Sequence, residues 1–241
     1  MKFSFLNLAT FIFLGLICAR CTNTASNLQA NNPDKKDSLS EKDKHLLSHV
    51  QHFGDGQMVT KASKAVISEE EIAQLQHGDI LLRRGYGAVS DFIADFLEET
   101  YPVTHCGFVL RYPDNKVYIL HIISDLDSNG VRTESLQTYI DQSQLNTLAA
   151  VRLKTTQANR EAVLGEIYKL KAADMKFDMG FNDHESTEMY CAEMSRHVIQ
   201  NILKKDVLPD RAQKMGIDVT RMSNFFDPKN FEIIFNQLPV K

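Results

Sequence analysis

The chain has 241 residues, 43% of them hydrophobic and 24% charged, which excludes an intrinsically disordered chain and a multi-span membrane protein. Lys and Arg total 27 against 31 Asp and Glu, a net charge of −4, so there is no basic surplus to neutralise phosphates and no nucleic-acid partner is expected. Four cysteines are too few for a disulfide-dense small scaffold.

Residues 1–25, MKFSFLNLATFIFLGLICARCTNTA, read as a targeting signal. Lys2 is the positive start, and Phe3 to Cys18 is a short apolar core broken by Ser4, Asn7 and Thr10. It is too short and too polar-flanked to span a membrane. The expectation is an exported protein of the periplasm or cell envelope of a bacterium. Cys18 or Cys21 offers an acylation site for a lipoprotein form, which would attach the chain to a membrane through an N-terminal lipid. Against this, Ile17 and Arg20 stand where a small residue usually precedes the acylated cysteine. Inside a signal, Cys18-Ala-Arg-Cys21 is not a zinc or redox motif.

Residues 26–66 read as a polar linker with one helix. Ser40 with Asp43 opens that helix, and Gly54 stops it after Phe53. His45, His49 and His52 share one of its faces. With no acid or cysteine at ligand spacing, a solvated or packing face is favoured over a metal site.

The folded domain is expected over 67–241. Ser68 and Glu71 form a second capping box for a short helix to about Gln76. Asp79 to Arg83 reads as a strand and Ser90 to Glu99 as an amphipathic helix. Thr104 to Leu110 and Val117 to Ile123 are apolar strands around the turn residues Tyr112-Pro-Asp-Asn115. Leu145 to Leu153 is another strand and Thr156 to Ala172 a helix. A polar loop, 174–189, leads into a helix from Cys191 to Leu203, and a last strand lies near Phe231 to Phe235. Since the clearest pair is an antiparallel hairpin, the pattern points to an α+β fold, an antiparallel sheet packed against helices.

No phosphate-binding glycine loop, dinucleotide fingerprint, zinc-protease helix or nucleophile elbow occurs, so no cofactor and no metal is expected. What remains is a thiol. Cys191 opens an amphipathic helix, where the positive dipole end and the free backbone N–H groups stabilise a thiolate and can hold an oxyanion. The alternative is a buried cysteine filling a helix–core contact.

A nucleophilic thiol needs a base, and His105 is the best candidate. It stands near the start of a strand, and Gly107, two residues on, leaves room beside the imidazole on the same face. Phe108 and Leu110 face the core with Cys106. A turn of three unpaired residues would bring His121 to the His105 face, where it can bond the second ring nitrogen; a two-residue turn would put it on the opposite face. The sequence leaves that choice open.

Gly-Asp-Ile-Leu-Leu (78–82), Thr-His-Cys-Gly-Phe-Val (104–109), Asn-Gly-Val (129–131) and Phe-Asp-Met-Gly-Phe…Glu-Met-Tyr-Cys-Ala-Glu-Met (177–194) resemble, in order, the YiiX/YebB-like cysteine hydrolases. These form the circularly permuted, papain-like branch of the NlpC-type superfamily, in which the histidine strand precedes the cysteine helix. The resemblance spans about residues 70 to 235. It implies a Cys191 nucleophile, a His105 base and a polar third residue at His121. Many permuted relatives carry an acid at that third position, a departure here. Tyr190 matches the aromatic before the cysteine and would line the cleft. Asp79 is expected in a turn or strand-start role, and Glu193 as a structural carboxylate.

The function expected is an exported cysteine hydrolase that cleaves peptide or cell-wall peptide bonds through an acyl-enzyme. One rival is a lipid-directed acyltransferase or hydrolase on the same fold. The other is a non-enzymatic secreted binding domain with a Cys106–Cys191 disulfide. Strand alternation speaks against that disulfide, since Cys106 points away from the His105 face. Asp178, Asp183, Glu185 and Glu188 offer either ammonium recognition or a solvated loop.

Overall fold

Successive side chains of the central strands enter two separate cores, and this double burial arranges the molecule. The computed structural model describes residues 64–125, 129–181, 183, 187–214 and 216–239. The signal, the linker helix with its three histidines, and Glu185 lie outside the described residues.

Helix α1 (Glu69–Gln74) opens on the expected capping box, in which the Glu71 N–H donates to Ser68 Oγ and the Ser68 N–H to the Glu71 carboxylate. There follow β1 (Ile80–Arg83), α2 (Ala88–Leu97), β2 (His105–Arg111), β3 (Val117–Ser124), β4 (Asn129–Ser135), α3 (Leu136–Asp141), β5 (Ala149–Leu153), α4 (Gln157–Ala172) and α5 (Cys191–Leu203). A small hairpin of β6 (Arg211–Lys214) and β7 (Ile217–Thr220), a 3₁₀ turn (Met222–Phe226) and β8 (Phe231–Asn236) complete the order. The main sheet runs β4-β3-β2-β1-β5-β8, and each of its ladders is antiparallel. The fold is therefore α+β, an antiparallel sheet with helices on its faces and a cysteine opening α5.

On one face Ile80, Leu82, Phe108, Leu110, Leu120 and Ile122 pack with Val163 and Ile167 of α4 and Met194 and Val198 of α5. On the other, Leu81, Val109 and Ile119 meet Leu136, Tyr139 and Ile140 of α3. Coverage on both sides explains why β1 to β3 read as unbroken apolar runs.

Two departures from the sequence reading have simple causes. The strand expected from Leu145 begins only at Ala149, because Asn146 takes a left-handed conformation at φ 55°. Strand β4 was not anticipated. Its sequence, NGVRTES, is polar and its side chains are mostly half-exposed, as suits an edge strand with no apolar alternation.

The hairpin decides the register. The Tyr112 N–H donates to the Lys116 carbonyl at 3.0 Å, which leaves three residues in the turn, with Asn115 left-handed at φ 63°. Pairing then runs from Arg111↔Val117 to Phe108↔Leu120. Continuing that register sets Gly107 against His121 and gives His121 the face of His105. The β2–β3 ladder ends at Phe108. Beyond it, His105, Cys106 and Gly107 pair with β1, and His121 to Ser124 pair with β4. Helix α5 packs against both strands.

Gly107 is required by this close approach. A Cβ there would lie 2.4 Å from Ile119 Cγ2 and 3.1 Å from His121 Cβ. Gly107→Val is therefore expected to lower stability by about 1–3 kcal/mol through overpacking, read as a reduced urea midpoint. An unchanged midpoint would show that β2 and β3 can separate freely at this level.

Candidate active site

The first turn of α5 is sunk into the protein. Cys191, Ala192, Glu193, Met194 and Ser195 are all buried, and the residue before them, Tyr190, gives no side-chain cap. The N–H groups that begin a helix lack intrahelical partners and need others. Here Cys191 takes that part. Its thiolate is stabilised by the Cys106 thiol and by the backbone N–H groups of Cys106, Ala192 and Cys191. The thiol of Cys106 is the largest influence holding Cys191 below the usual thiol range, against the opposing effect of burial. Cys106 itself is pushed well up, first by burial and then by Cys191, so it stays protonated and acts as the donor. Ser195 steadies this pair, with its hydroxyl 3.4 Å from Cys106 Sγ and donating to the Cys191 carbonyl at 2.9 Å.

This corrects the case built on strand alternation. Cys106 does point to the opposite face from His105. Cys191 nevertheless reaches it, because α5 packs on the face that carries Cys106, and the same cysteine also lines the cleft with His105. Both cysteines are free thiols.

His105 and Cys191 line one cleft, whose volume is about 290 Å³. His105 is 8% exposed and His121 fully buried. Their rings meet across β2 and β3, with His105 Nε2 2.8 Å from His121 Nδ1. Tyr139 packs against both rings at 5.9 and 5.6 Å between centroids, and its hydroxyl donates to the Leu81 carbonyl at 3.0 Å.

The other side of His121 faces Glu134. Its Nε2 lies 3.3 Å from Glu134 Oε1, an ion-pair distance with poor hydrogen-bond alignment, and the carboxylate also pairs with Arg132 at 3.3 Å. Burial would raise the Glu134 carboxyl, but His121, then Arg132 and Arg83, hold it below the ordinary range. It is thus a carboxylate, and carboxylates only accept. His121 then carries its proton on Nε2 and presents a bare Nδ1. His105 in turn donates from Nε2 to that Nδ1, which leaves His105 Nδ1 bare. Charge at Glu134 so fixes the tautomer of His105 through one electrostatic contact with His121 and one hydrogen bond.

Both imidazoles are neutral. Burial, then Arg83, His121 and Arg132, hold His105 well below the usual histidine range. Burial also lowers His121, although Glu134 pulls it the other way. A neutral imidazole sharing a cleft with an acidified thiol is the protonation pattern that general-base catalysis needs.

Other candidates fall elsewhere. Tyr190 stands behind Cys191, lining a small apolar cavity of about 20 Å³ with Phe92, Phe96 and Phe181. Its hydroxyl donates to Asp183 and accepts the Thr220 N–H at 2.6 Å. Asp183, far from being a solvated loop acid, has a buried side chain paired with Arg196 at 3.1 Å and Arg211 at 2.9 Å. Asp178 is buried and accepts the Gly180 N–H at 2.6 Å. Asp79 is fully buried and bonded by Arg152 at 2.7 and 2.8 Å, a brace between β1 and β5. Glu193 is buried at the start of α5, where burial, then Asp183 and Asp178, push it up to about 8. The motif Asn129-Gly130 docks the loop that supplies Phe177 to the cleft. Asn129 Oδ1 accepts the Phe177 N–H at 2.8 Å, and Gly130, at φ 134°, lies where a Cβ would sit 2.6 Å from the Met175 carbonyl.

Sequence reasoning missed Glu134, Cys106 and Arg83. Glu134 had a usable signal: two residues from Arg132, which stands opposite His121 in the ladder, it lies diagonal to His121 on the same face. That signal needs β4 to be recognised first.

The model of the permuted papain-like amidase enzymes, YaeF/YiiX, C92 family, matches residues 74–233. The crystal structure of a protein described as the metalloprotein YiiX, from Escherichia coli O157:H7, is similar in fold, with a TM-score of 0.55 at 16% identity. That similarity covers 69% of this chain and 99% of the YiiX chain. No curated protein sequence matches. Among the described residues of this chain, no group of three or more His, Cys, Asp or Glu side chains is placed to hold a metal ion.

The histidine tautomers have a consequence for stability. A histidine whose acid form is disfavoured in the folded state contributes stability above its unfolded pKa of about 6.5 and loses it as pH falls further. Stability of the wild type relative to His121→Asn should therefore decline from pH 7.5 to pH 5. Glu193 titrates in the opposite sense in this window but is common to both proteins. A difference in thermal midpoint that does not change with pH would show that His121 is not held neutral.

Proposed function

Because the chain belongs to the permuted papain-like amidases of the YaeF/YiiX, C92 family, a family of cysteine hydrolases, we propose that it is an exported amidase in which Cys191 attacks peptide or cell-wall peptide bonds. The observation that carries this reading is the pairing, in one cleft, of an acidified cysteine at an uncapped helix start with a neutral imidazole of fixed tautomer. Export rests on the apolar signal of residues 1–25, and Cys18 or Cys21 would supply a lipid anchor.

In this mechanism His105 Nδ1 takes the Cys191 proton as the sulfur attacks the carbonyl carbon. The oxyanion is held by N–H groups at the start of α5. The C–N bond breaks, the His105 imidazolium protonates the leaving amine, and a thioester remains on Cys191. His105 then deprotonates water, which attacks the thioester and frees the thiol. His121 is the third residue. It accepts the His105 Nε2–H and disperses the positive charge toward Glu134. Cys106 keeps the thiolate solvated by a fixed donor, and Tyr190 supports the wall behind it.

An apolar cavity beside Cys191 favours a second reading, fatty acyl transfer or hydrolysis on the same residues. At about 20 Å³ it is too small for an acyl chain, and the peptide reading is preferred. Acyl transfer to an added amine that outpaces release to water would reverse this preference.

Cys191→Ala should abolish hydrolysis of a peptide library while circular dichroism remains native. His105→Ala should cost on the order of 10²- to 10⁴-fold in kcat. Glu134→Gln should give a smaller fall in kcat with little change in KM, because it acts only through His121. Full activity of Cys191→Ala would reject the mechanism.

A further inference from the structure

Among the described residues that line the cleft, one side chain carries a formal charge at neutral pH, and it is Arg83. Strand β1 delivers it there, since Arg83 is paired directly with His105 and leaves the sheet on the same face. Arg83 is 3% exposed. Its guanidinium lies 4.5 Å over the Tyr139 ring. Nη1 donates to the Gln142 carbonyl at 2.5 Å and Nη2 to Gln142 Oε1 at 3.2 Å. Both acceptors are neutral. Nε has no partner among the described residues, and no carboxylate among them forms an ion pair with the group. Glu134 feels its charge but is already committed to His121 and Arg132.

A guanidinium stays charged at any physiological pH. Buried, it needs compensation that neutral acceptors and a ring face supply only in part. A permanent cation in a catalytic cleft with no acid among its described lining residues suits a permanent anion, and a short-lived oxyanion already has the N–H groups of α5. We infer that the substrate of this enzyme carries a carboxylate close to the scissile amide and that Arg83 binds it, with Ile123 and Phe177 as apolar flanks. The inference rests on the amidase reading of the cleft. It also couples binding to chemistry. Arg83 is one of the charges that keep His105 from accepting a proton. A substrate carboxylate on Arg83 would offset that charge and make the base stronger only when substrate is present.

The test uses the full chain and pooled N-acetyl peptides of two to four residues, each made with a free C-terminal carboxylate and as the carboxamide. Hydrolysis is followed by mass spectrometry, and binding to Cys191→Ser by calorimetry. A charge-assisted hydrogen bond predicts a carboxylate preference of about tenfold to a hundredfold in kcat/KM. Arg83→Gln should reduce the two forms to within about twofold of each other, and Arg83→Lys should restore part of the preference. A merely structural role for Arg83 would lower both forms alike and leave the ratio intact. Cys191-dependent hydrolysis with equal rates on both forms overturns the inference and leaves the amidase reading standing. Arg83-dependent binding of carboxylates without any hydrolysis does the reverse. Absence of both preferential hydrolysis and preferential binding also overturns it.

Discussion

A single hydrogen bond of 2.8 Å, between His105 Nε2 and His121 Nδ1, governs how this cleft can work. Where it forms, the β2–β3 ladder has ended, so the two strands are linked there by their side chains. The bond assigns each imidazole one donor and one acceptor. It is meaningful only because something further along, the Glu134 carboxylate, decides which nitrogen of His121 carries the proton. Gly107 makes room for the contact, and Tyr139 closes the space beneath it. Burial then keeps both rings neutral.

The same end of the ladder accommodates the cysteine. Antiparallel pairing normally engages every second N–H of a strand on each side. With β3 no longer paired to β2 at Cys106, its N–H and thiol are both available to Cys191. One sulfur thus serves as the hydrogen-bond donor that lets its neighbour be acidic. Burial alone would have made each of these thiols less acidic, and the direction for Cys191 reverses chiefly because of the Cys106 thiol, helped by nearby backbone N–H groups. The acids of the preceding loop do different work. Asp183 is tied to Arg196 and Arg211 and to Tyr190, and fixes the approach to α5 rather than the substrate.

Much of the local structure was legible because it depends on neighbours in sequence. Ser68 and Glu71 form their capping box three residues apart. Thr156 caps α4 in the same way, accepting the Asn159 N–H at 3.2 Å. The boundaries of α5 could be read from its amphipathic pattern and its cysteine start. β4 could not be read, because an edge strand of Asn, Gly, Val, Arg, Thr, Glu and Ser has a single apolar residue and no apolar period to see. Its omission removed Glu134 from view and left the tautomer of His105 undecided. The argument that set Cys106 and Cys191 apart was sound for an ideal sheet. It failed because α5 packs on the Cys106 face while Cys191, in its first turn, also lines the cleft with His105.

The order of motifs, with the histidine strand before the cysteine helix, indicated the permuted papain-like family, while the helix start and the strand start pointed to Cys191 and His105. Alternation along each strand sorted its side chains by face. Whether His121 joined them turned on the length of one turn, and that depended on Asn115 adopting a left-handed conformation. The tertiary structure alone decided that, along with the end of the β2–β3 ladder, the alignment of Glu134 and the burial of Arg83 beside His105. Register, ladder ends and buried charge are set by contacts between segments far apart in the chain, and no local pattern of residues records them.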